Sequence, residues 1–372
     1  WARMQPSSAV SPPSGSTRHE RIAWGLGVAP DTFTSPGGHY GEQCEPGPTA
    51  GGCYVAEMMT HDRFAGRAGK SVQRHDVNFG EYISASLYTP ANHFENEALP
   101  VVIWMHPMSY HSGFNEGYID SESGTAIYFD VASNGFAVIA FDAMGFGSRG
   151  YEFNGAAGGP QGQEGSPPLF YRRYPEWSIL GKIVHDGLAA VDLAVGLSQG
   201  RFPGDDPPLG VPRLDPKRVY VMGYDVGGRA ALYMGALDPD RRLAGLISIN
   251  GWTPMRGDTN ASTTGGIRQL WDWHGLQPRL GFYDGKEREL PYDMDDVLAQ
   301  AAPIPTLIYQ QLYDRTADAG AVAKSVSKAV AMGANVTLLT AATVNTLNDE
   351  VHNRVIDWLK DQAHPSSGEM YV

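Results

Sequence analysis

The hexapeptide Gly223-Tyr224-Asp225-Val226-Gly227-Gly228 places a carboxylate between glycines where two elements of different periodicity meet. Arg218-Val-Tyr-Val-Met222 reads as a short buried strand, and Arg229-Ala-Ala-Leu-Tyr-Met-Gly-Ala-Leu237 as a helix packed through small residues. So sharp a strand-to-helix turn strains its central residue and needs glycines where the helix passes close to the strand. A side chain at the tip points into a pocket beside a helix N-terminus, where a nucleophile or a base can work. The rival structural use of Asp225 is as an N-cap for the helix starting at Gly227.

Two further residues follow at strand ends. Thr306-Leu-Ile-Tyr-Gln-Gln-Leu312 is an apolar run ending at Asp314, where an acid partner belongs, and Asn335-Val-Thr-Leu-Leu-Thr-Ala341 reads as the last strand. His352 follows it, at the entry to the amphipathic helix Arg354-Val-Ile-Asp-Trp-Leu-Lys360, and is the expected base. Upstream, the buried strand Leu99-Pro-Val-Val-Ile-Trp-Met105 runs into His106-Pro107-Met108, so the backbone N–H groups of Met108 and Val226 are the expected oxyanion donors. Ala137-Val-Ile-Ala-Phe141 is another buried strand, followed by the Gly-rich turn Asp142 to Ser148, which lacks the Lys-Ser/Thr ending of a phosphate loop. Gly196-Leu-Ser-Gln-Gly200 matches G-x-S-x-G literally, but Ser198 ends a helical run instead of a strand and is set aside.

His106-Pro107, Asp142 to Ser148, Phe170-Tyr-Arg-Arg-Tyr-Pro-Glu-Trp-Ser178, Gly223 to Gly228, Gly251-Trp-Thr-Pro-Met-Arg256, Asp314-Arg315 and His352 together resemble the α/β-hydrolase superfamily. The nearest branch is that of the acetyl-xylan-esterase-like and dienelactone-hydrolase-like enzymes. The resemblance implies an α/β fold, a mostly parallel eight-stranded sheet flanked by helices with lid insertions, and a triad in the order Asp225, Asp314, His352. It departs from that branch at Asp225, where the esterase members carry serine.

A carboxylate attacking an acyl carbon would give a high-energy mixed anhydride, whereas attack on an sp3 carbon bearing a halide or epoxide oxygen gives an alkyl ester that a His-activated water can cleave. The leading expectation is therefore a covalent aspartyl-ester hydrolase similar to epoxide hydrolases and haloalkane dehalogenases, although those usually place an aromatic residue where this chain has Val226. The alternatives are a carboxylic-ester hydrolase whose serine is replaced by Asp225, impaired or acting by general base, and a noncatalytic carbohydrate-binding protein.

A length of 372 residues with 42% hydrophobic content suits one α/β sheet with insertions, and a formal net charge of −13 argues against nucleic acid or anionic membranes as partners. A small-molecule substrate is expected, with no cofactor or metal. Residues 1–68 read as an irregular Gly/Pro-rich arm and 69–372 as the hydrolase domain, with lid insertions at about 151–178 and 252–303. The sheet is expected to start with an antiparallel pair, Val72 to Phe79 and Tyr82 to Tyr88. Tyr171, Tyr174, Trp177, Trp252 and Arg256 in the insertions, with His106, are the candidate substrate-binding side chains, though such aromatic sets more often pack a lid. Cys44 and Cys53 are the only cysteines; their Gly/Pro-rich loop fits a disulfide and an oxidising compartment, hence a secreted or periplasmic protein, with a reduced cytosolic pair as the alternative. Asn260-Ala-Ser262 and Asn335-Val-Thr337 match the glycosylation pattern, the second on a predicted strand.

Overall fold

The computed structural model describes residues 11–29, 59–65, 71–80, 83–92, 98–109, 113–115, 126–149, 168–199, 212–257, 266–273 and 275–364. Cys44, Cys53 and Asn260 lie outside the described residues. The elements run α1 (Arg18–Leu26), β1 (Met59–Ala65), β2 (Ser71–Phe79), β3 (Ile83–Pro90), β4 (Leu99–Met105), α2 (Ile127–Ser133), β5 (Ala137–Phe141), α3 (Ile179–Ser198), β6 (Leu214–Tyr224), α4 (Val226–Leu237), β7 (Leu243–Ile249), α5 (Met294–Gln300), β8 (Thr306–Tyr313), α6 (Ala319–Ala331), β9 (Val336–Val344) and α7 (Asp349–Ala363).

Alternation of side-chain direction along the strands divides the core into two layers. Val101, Ile103, Met105, Ala137, Ile139, Val219 and Val221 enter one, where α1, α3, α4, α5 and α6 pack; Val102, Trp104, Val138, Ala140, Tyr220 and Met222 enter the other, against α2 and α7. Burial on both faces is why β4, β5 and the end of β6 read as unbroken apolar runs. The sheet has the order β1-β2-β3-β5-β4-β6-β7-β8-β9. From β5 through β9 all neighbours pair in parallel, while β1, β2 and β3 form an antiparallel flank. The expected sheet is therefore present, with β1 as an additional edge strand.

The stretch 1–68 departs from the irregular arm expected of it, since it contains α1 and β1. Thr17 and Glu20 form a reciprocal capping box at the start of α1, and Ile22 and Leu26 are buried against the main body. Gly/Pro abundance in that stretch masked a locally well-signalled helix.

Chain order reverses around β4, with β5 on one side and β6 on the other, so the crevice between the C-terminal ends of β4 and β6 is the topological switch point of the sheet. At that place α4 is drawn down onto the strands. A Cβ on Gly227 would lie 2.0 Å from the Met105 carbonyl oxygen, and one on Gly223 would lie 2.2 Å from the Gly227 backbone. Neither position admits a side chain without moving backbone. Gly227→Ala is expected to lower unfolding stability by about 1–3 kcal/mol, as overpacking does in a dense core, measured by urea denaturation; an unchanged midpoint would show that the helix and strand are not in contact here.

Candidate active site

Asp225 adopts φ 53° and ψ −124°, a backbone conformation rare for a residue with a side chain and stored at functional turns. It is pinned from both sides: its N–H donates to Ile249 O at 3.0 Å, and Gly251 packs so tightly beneath that a Cβ there would meet the Asp225 carbonyl oxygen at 2.1 Å. Its side chain makes no capping bond to α4, which removes the N-cap reading. The backbone N–H groups of Val226 and Met108, expected as oxyanion donors, both favour the charged form of its carboxyl.

Burial pushes the Asp225 carboxyl above its usual range; Asp314 adds to the rise, while the Val226 and Met108 N–H groups and the Arg229 guanidinium oppose it. Arg229, in the first turn of α4, is almost wholly buried and donates from Nε to Gly251 O at 3.3 Å. Met108, Asp225, Val226, Arg229, Gly251, Gln269, Leu270 and Leu276 line a small cavity over the elbow. Asp314, in the turn after β8, is buried; its Oδ1 accepts from Thr316 N and Thr316 Oγ1, both at 2.8 Å, and from Asn345 Nδ2 at 3.3 Å.

His352 is not part of this cluster. It lies inside α7 with no exposed surface, and its Nδ1 donates to Asp130 Oδ2 of α2 at 2.7 Å. It hydrogen-bonds neither Asp225 nor Asp314, so the expected assignment of His352 as the base is corrected. The cause is register: Asn348 caps α7 by accepting from Val351 N, so the helix has already begun at His352 and its inner face turns the imidazole toward α2. The residue that does follow β9 into the site is Asn345. Its Oδ1 accepts from Asn250 Nδ2, Asn250 Nδ2 also donates to Gln311 Oε1 at 2.7 Å, and Gln311 N donates back to Asn250 Oδ1 at 2.9 Å. An amide network therefore stands where a histidine was expected.

The remaining candidate side chains are bonded and packed as follows. His106 is buried, accepting from Ala143 N at Nε2 (2.9 Å) and donating from Nδ1 to Pro107 O (2.8 Å), which ties the loop after β4 to the loop after β5. The second loop is built around Asp142, which accepts from Phe114 N, Ser148 N and Ser148 Oγ, a structural role for the Gly-rich turn. Tyr171 is buried, donating to Gly275 O at 2.5 Å and accepting from Ile179 N at 3.0 Å. Tyr174 and Trp177 stack with Phe170 at ring-centroid distances of 5.4 and 5.8 Å. Trp252 is buried, and Arg256 donates to Leu290 O at 2.7 Å. None of these six lines the cavity at Asp225. Arg229 and Asn345 were overlooked in the sequence, although each carried a signal: one guanidinium in a helix of small apolar residues, and the first polar side chain beyond the last strand. Ser198 ends α3 and donates to Val195 O, as its helical context required.

No family model matches the chain and no curated protein matches it in sequence. Solved structures match it throughout. A glucuronoyl esterase from Solibacter usitatus superposes with a TM-score of 0.59 at 14% identity, covering 94% of this chain and 93% of that one. This is an α/β-hydrolase fold. A carbohydrate esterase family 15 glucuronoyl esterase from Caldicellulosiruptor kristjansonii gives 0.52 at 18% identity over 84% and 80% of the two chains. An acetyl xylan esterase from Paenibacillus sp. R4 gives 0.52 at 15% over 82% and 88%. At such identities the likeness is one of fold, in which Asp225 stands at the strand-to-helix turn between β6 and α4.

Two outcomes follow from this geometry. Asp225 favours its protonated form when folded, so the unfolded chain releases that proton first and stability falls as pH rises above the ordinary aspartate pKa of about 3.9. Asp225→Asn should therefore be more stable than wild type at neutral pH, with the advantage fading below that value, in denaturant melts across pH. His352→Gln should cost about 1.5–3 kcal/mol through loss of the buried bond to Asp130, while leaving ligand affinity at the Asp225 cavity unchanged by calorimetry; a loss of affinity without loss of stability would return His352 to the site.

Proposed function

We propose that this chain is a carboxylic-ester-directed α/β-hydrolase in which the covalent serine route is absent and Asp225 acts as a general base. The observation that carries the reading is the Asp225 carboxyl at the elbow, raised in pKa by burial and by Asp314, beside two backbone N–H groups and, among the described residues, without an imidazole bonded to either aspartate. The ester class is that named for the solved structures of similar fold.

In this mechanism the Asp225 carboxylate takes a proton from water as the water oxygen bonds to the acyl carbon. The carbonyl oxygen becomes an oxyanion that the Val226 and Met108 N–H groups stabilise, with the Arg229 guanidinium nearby. Collapse expels the alkoxide, which takes the proton back from Asp225. Because burial holds the Asp225 carboxyl toward its protonated form, the rate is low and activated esters or lactones are favoured. The covalent route on epoxides or alkyl halides has a specific weakness: an Asp225 alkyl ester needs a base to activate water, and His352 is held by Asp130. Such reagents are expected to leave a persistent adduct on Asp225, readable as a mass increase.

Asp225→Ser combined with Asn345→His should raise turnover of short acyl esters by about 10²–10⁴-fold, the range of a positioned general base, since Asn345 already bonds Asp314 where an imidazole would bridge to the elbow. Wild-type turnover should rise with pH through the raised Asp225 pKa and vanish in Asp225→Asn. Residual hydrolysis that survives Asp225→Asn rules the mechanism out. A second reading, ligand binding without turnover, is favoured by the burial that keeps Asp225 toward its protonated form; it predicts wild type inert at every pH while still binding an ester.

A further inference from the structure

We infer that β9 is the contact surface for a second copy of this chain, the two strands pairing antiparallel about a two-fold axis at Thr340 and joining two nine-stranded sheets into one. β9 ends the strand order, and among the described residues its backbone ladder is with β8 alone. An edge strand is a template for a further strand, and proteins that keep one bare blunt it with charge or proline. Val336-Thr-Leu-Leu-Thr-Ala-Ala-Thr-Val344 carries neither.

The order of these residues selects the occupant. A two-fold axis perpendicular to the sheet keeps each face of one strand beside the same face of the other, so opposed residues are an even number of positions apart. With Thr340 on the axis, it meets its own counterpart, Leu338 lies opposite Ala342, and Leu339 lies opposite Ala341. Large side chains thus meet small ones on both faces, with a threonine pair between them. Moving the axis to Leu339 loses this match, since Leu339 then meets itself and Leu338 meets Thr340. Gln311 pairs with Ala341 and Tyr313 with Val344, so β9 gains one residue on β8 there, and this bulge bounds the regular pairing at Ala342.

Charge and exposed apolar surface agree with the same axis. Two copies of net charge −13 repel, so a contact between them needs an uncharged strip. The axis sets α6 antiparallel to its counterpart, which brings the end capped by Asp318 toward the end of the other helix that holds Lys328. Among the described residues, five of the six exposed large apolar side chains flank β9: Leu312, Tyr313 and Val344 at its end, and Val330 and Met332 before its start. Antiparallel pairing carries the end of one strand to the start of the other, so the two groups meet and are covered together.

The inference goes beyond the ester reading and does not depend on it, since ester turnover decides that reading in monomer and dimer alike. The full chain is measured by sedimentation velocity over a concentration series from low micromolar to near-millimolar. Wild type should pass from monomer to dimer as concentration rises. Thr340 is exposed, and Thr340→Lys sets two like charges face to face on the axis, which should raise the dimer dissociation constant by about tenfold or more. Thr340→Val should leave the dimer in place. If Thr340→Lys fails to fold, Ala342→Lys at another exposed position supplies the same comparison. Register is read by mild oxidation against a wild-type control: Thr340→Cys should trap a disulfide-linked dimer, whereas Thr337→Cys, whose counterpart lies about 20 Å away along the pair, should not. A wild type that stays monomeric throughout, its strand covered by another segment of the chain or left bare, overturns the inference. A dimer that both lysine variants leave intact, or equal crosslinking by both cysteine variants, overturns it as well.

Discussion

The seating of Gly227 on the Met105 carbonyl is the constraint on which the site depends. Because α4 reaches β4 only through a bare backbone, the end of β6 and the start of α4 must turn within one residue, and that residue is forced to positive φ. Asp225 is held by this turn, by Gly251 beneath it and by Ile249 O, before any interaction of its carboxyl is considered. Its placement at the start of α4 follows from the scaffold. A residue of another type at this position inherits the same backbone setting, so the scaffold can carry a change in chemistry without a change in fold.

A second layer of organisation is carried by amides. Asn250 follows β7, Gln311 lies in β8 and Asn345 follows β9, and their side chains pair so that three successive strand ends are joined. This network fixes Asp314 through Asn345 and leaves one of its oxygens unserved. The electrostatic state of the site is therefore set by two carboxyls and one guanidinium, in low-dielectric surroundings where each acts strongly on its neighbours.

The elbow was legible because its requirements are local: a β-rich run, glycines at fixed offsets, and a helix of small residues. The parallel strands were legible for a related reason, since burial on both faces leaves continuous apolar runs with little to confuse them. Asp314 followed from the end of β8. The base did not, because its position depends on where α7 begins, and Asn348 starts that helix early enough to turn His352 inward. Sequence order alone cannot distinguish a histidine in a loop from one on the buried face of the next helix. The insertion aromatics were the converse case. Tyr171, Trp177 and Trp252 signal burial by their type, and the structure buries all three, Tyr171 with a hydrogen bond to Gly275 O and Trp177 against the Phe170 ring. Helix α1 was hidden by its surroundings, although its capping box is written plainly in Thr17 and Glu20.

Tyr171, from the first insertion, bonds Gly275 of the second, and Arg279 of the second donates to Trp24 O of α1 and to both the backbone and the carboxylate of Glu176 in the first. Gln277 likewise spans Gly25 O and the Tyr292 hydroxyl. The described parts of the two insertions and of α1 are thus joined to one another, not held apart. They share a single mechanical fate: a length change in either insertion is felt in the other and in the N-terminal helix. Diversification of the insertions must proceed by coordinated change across all three segments.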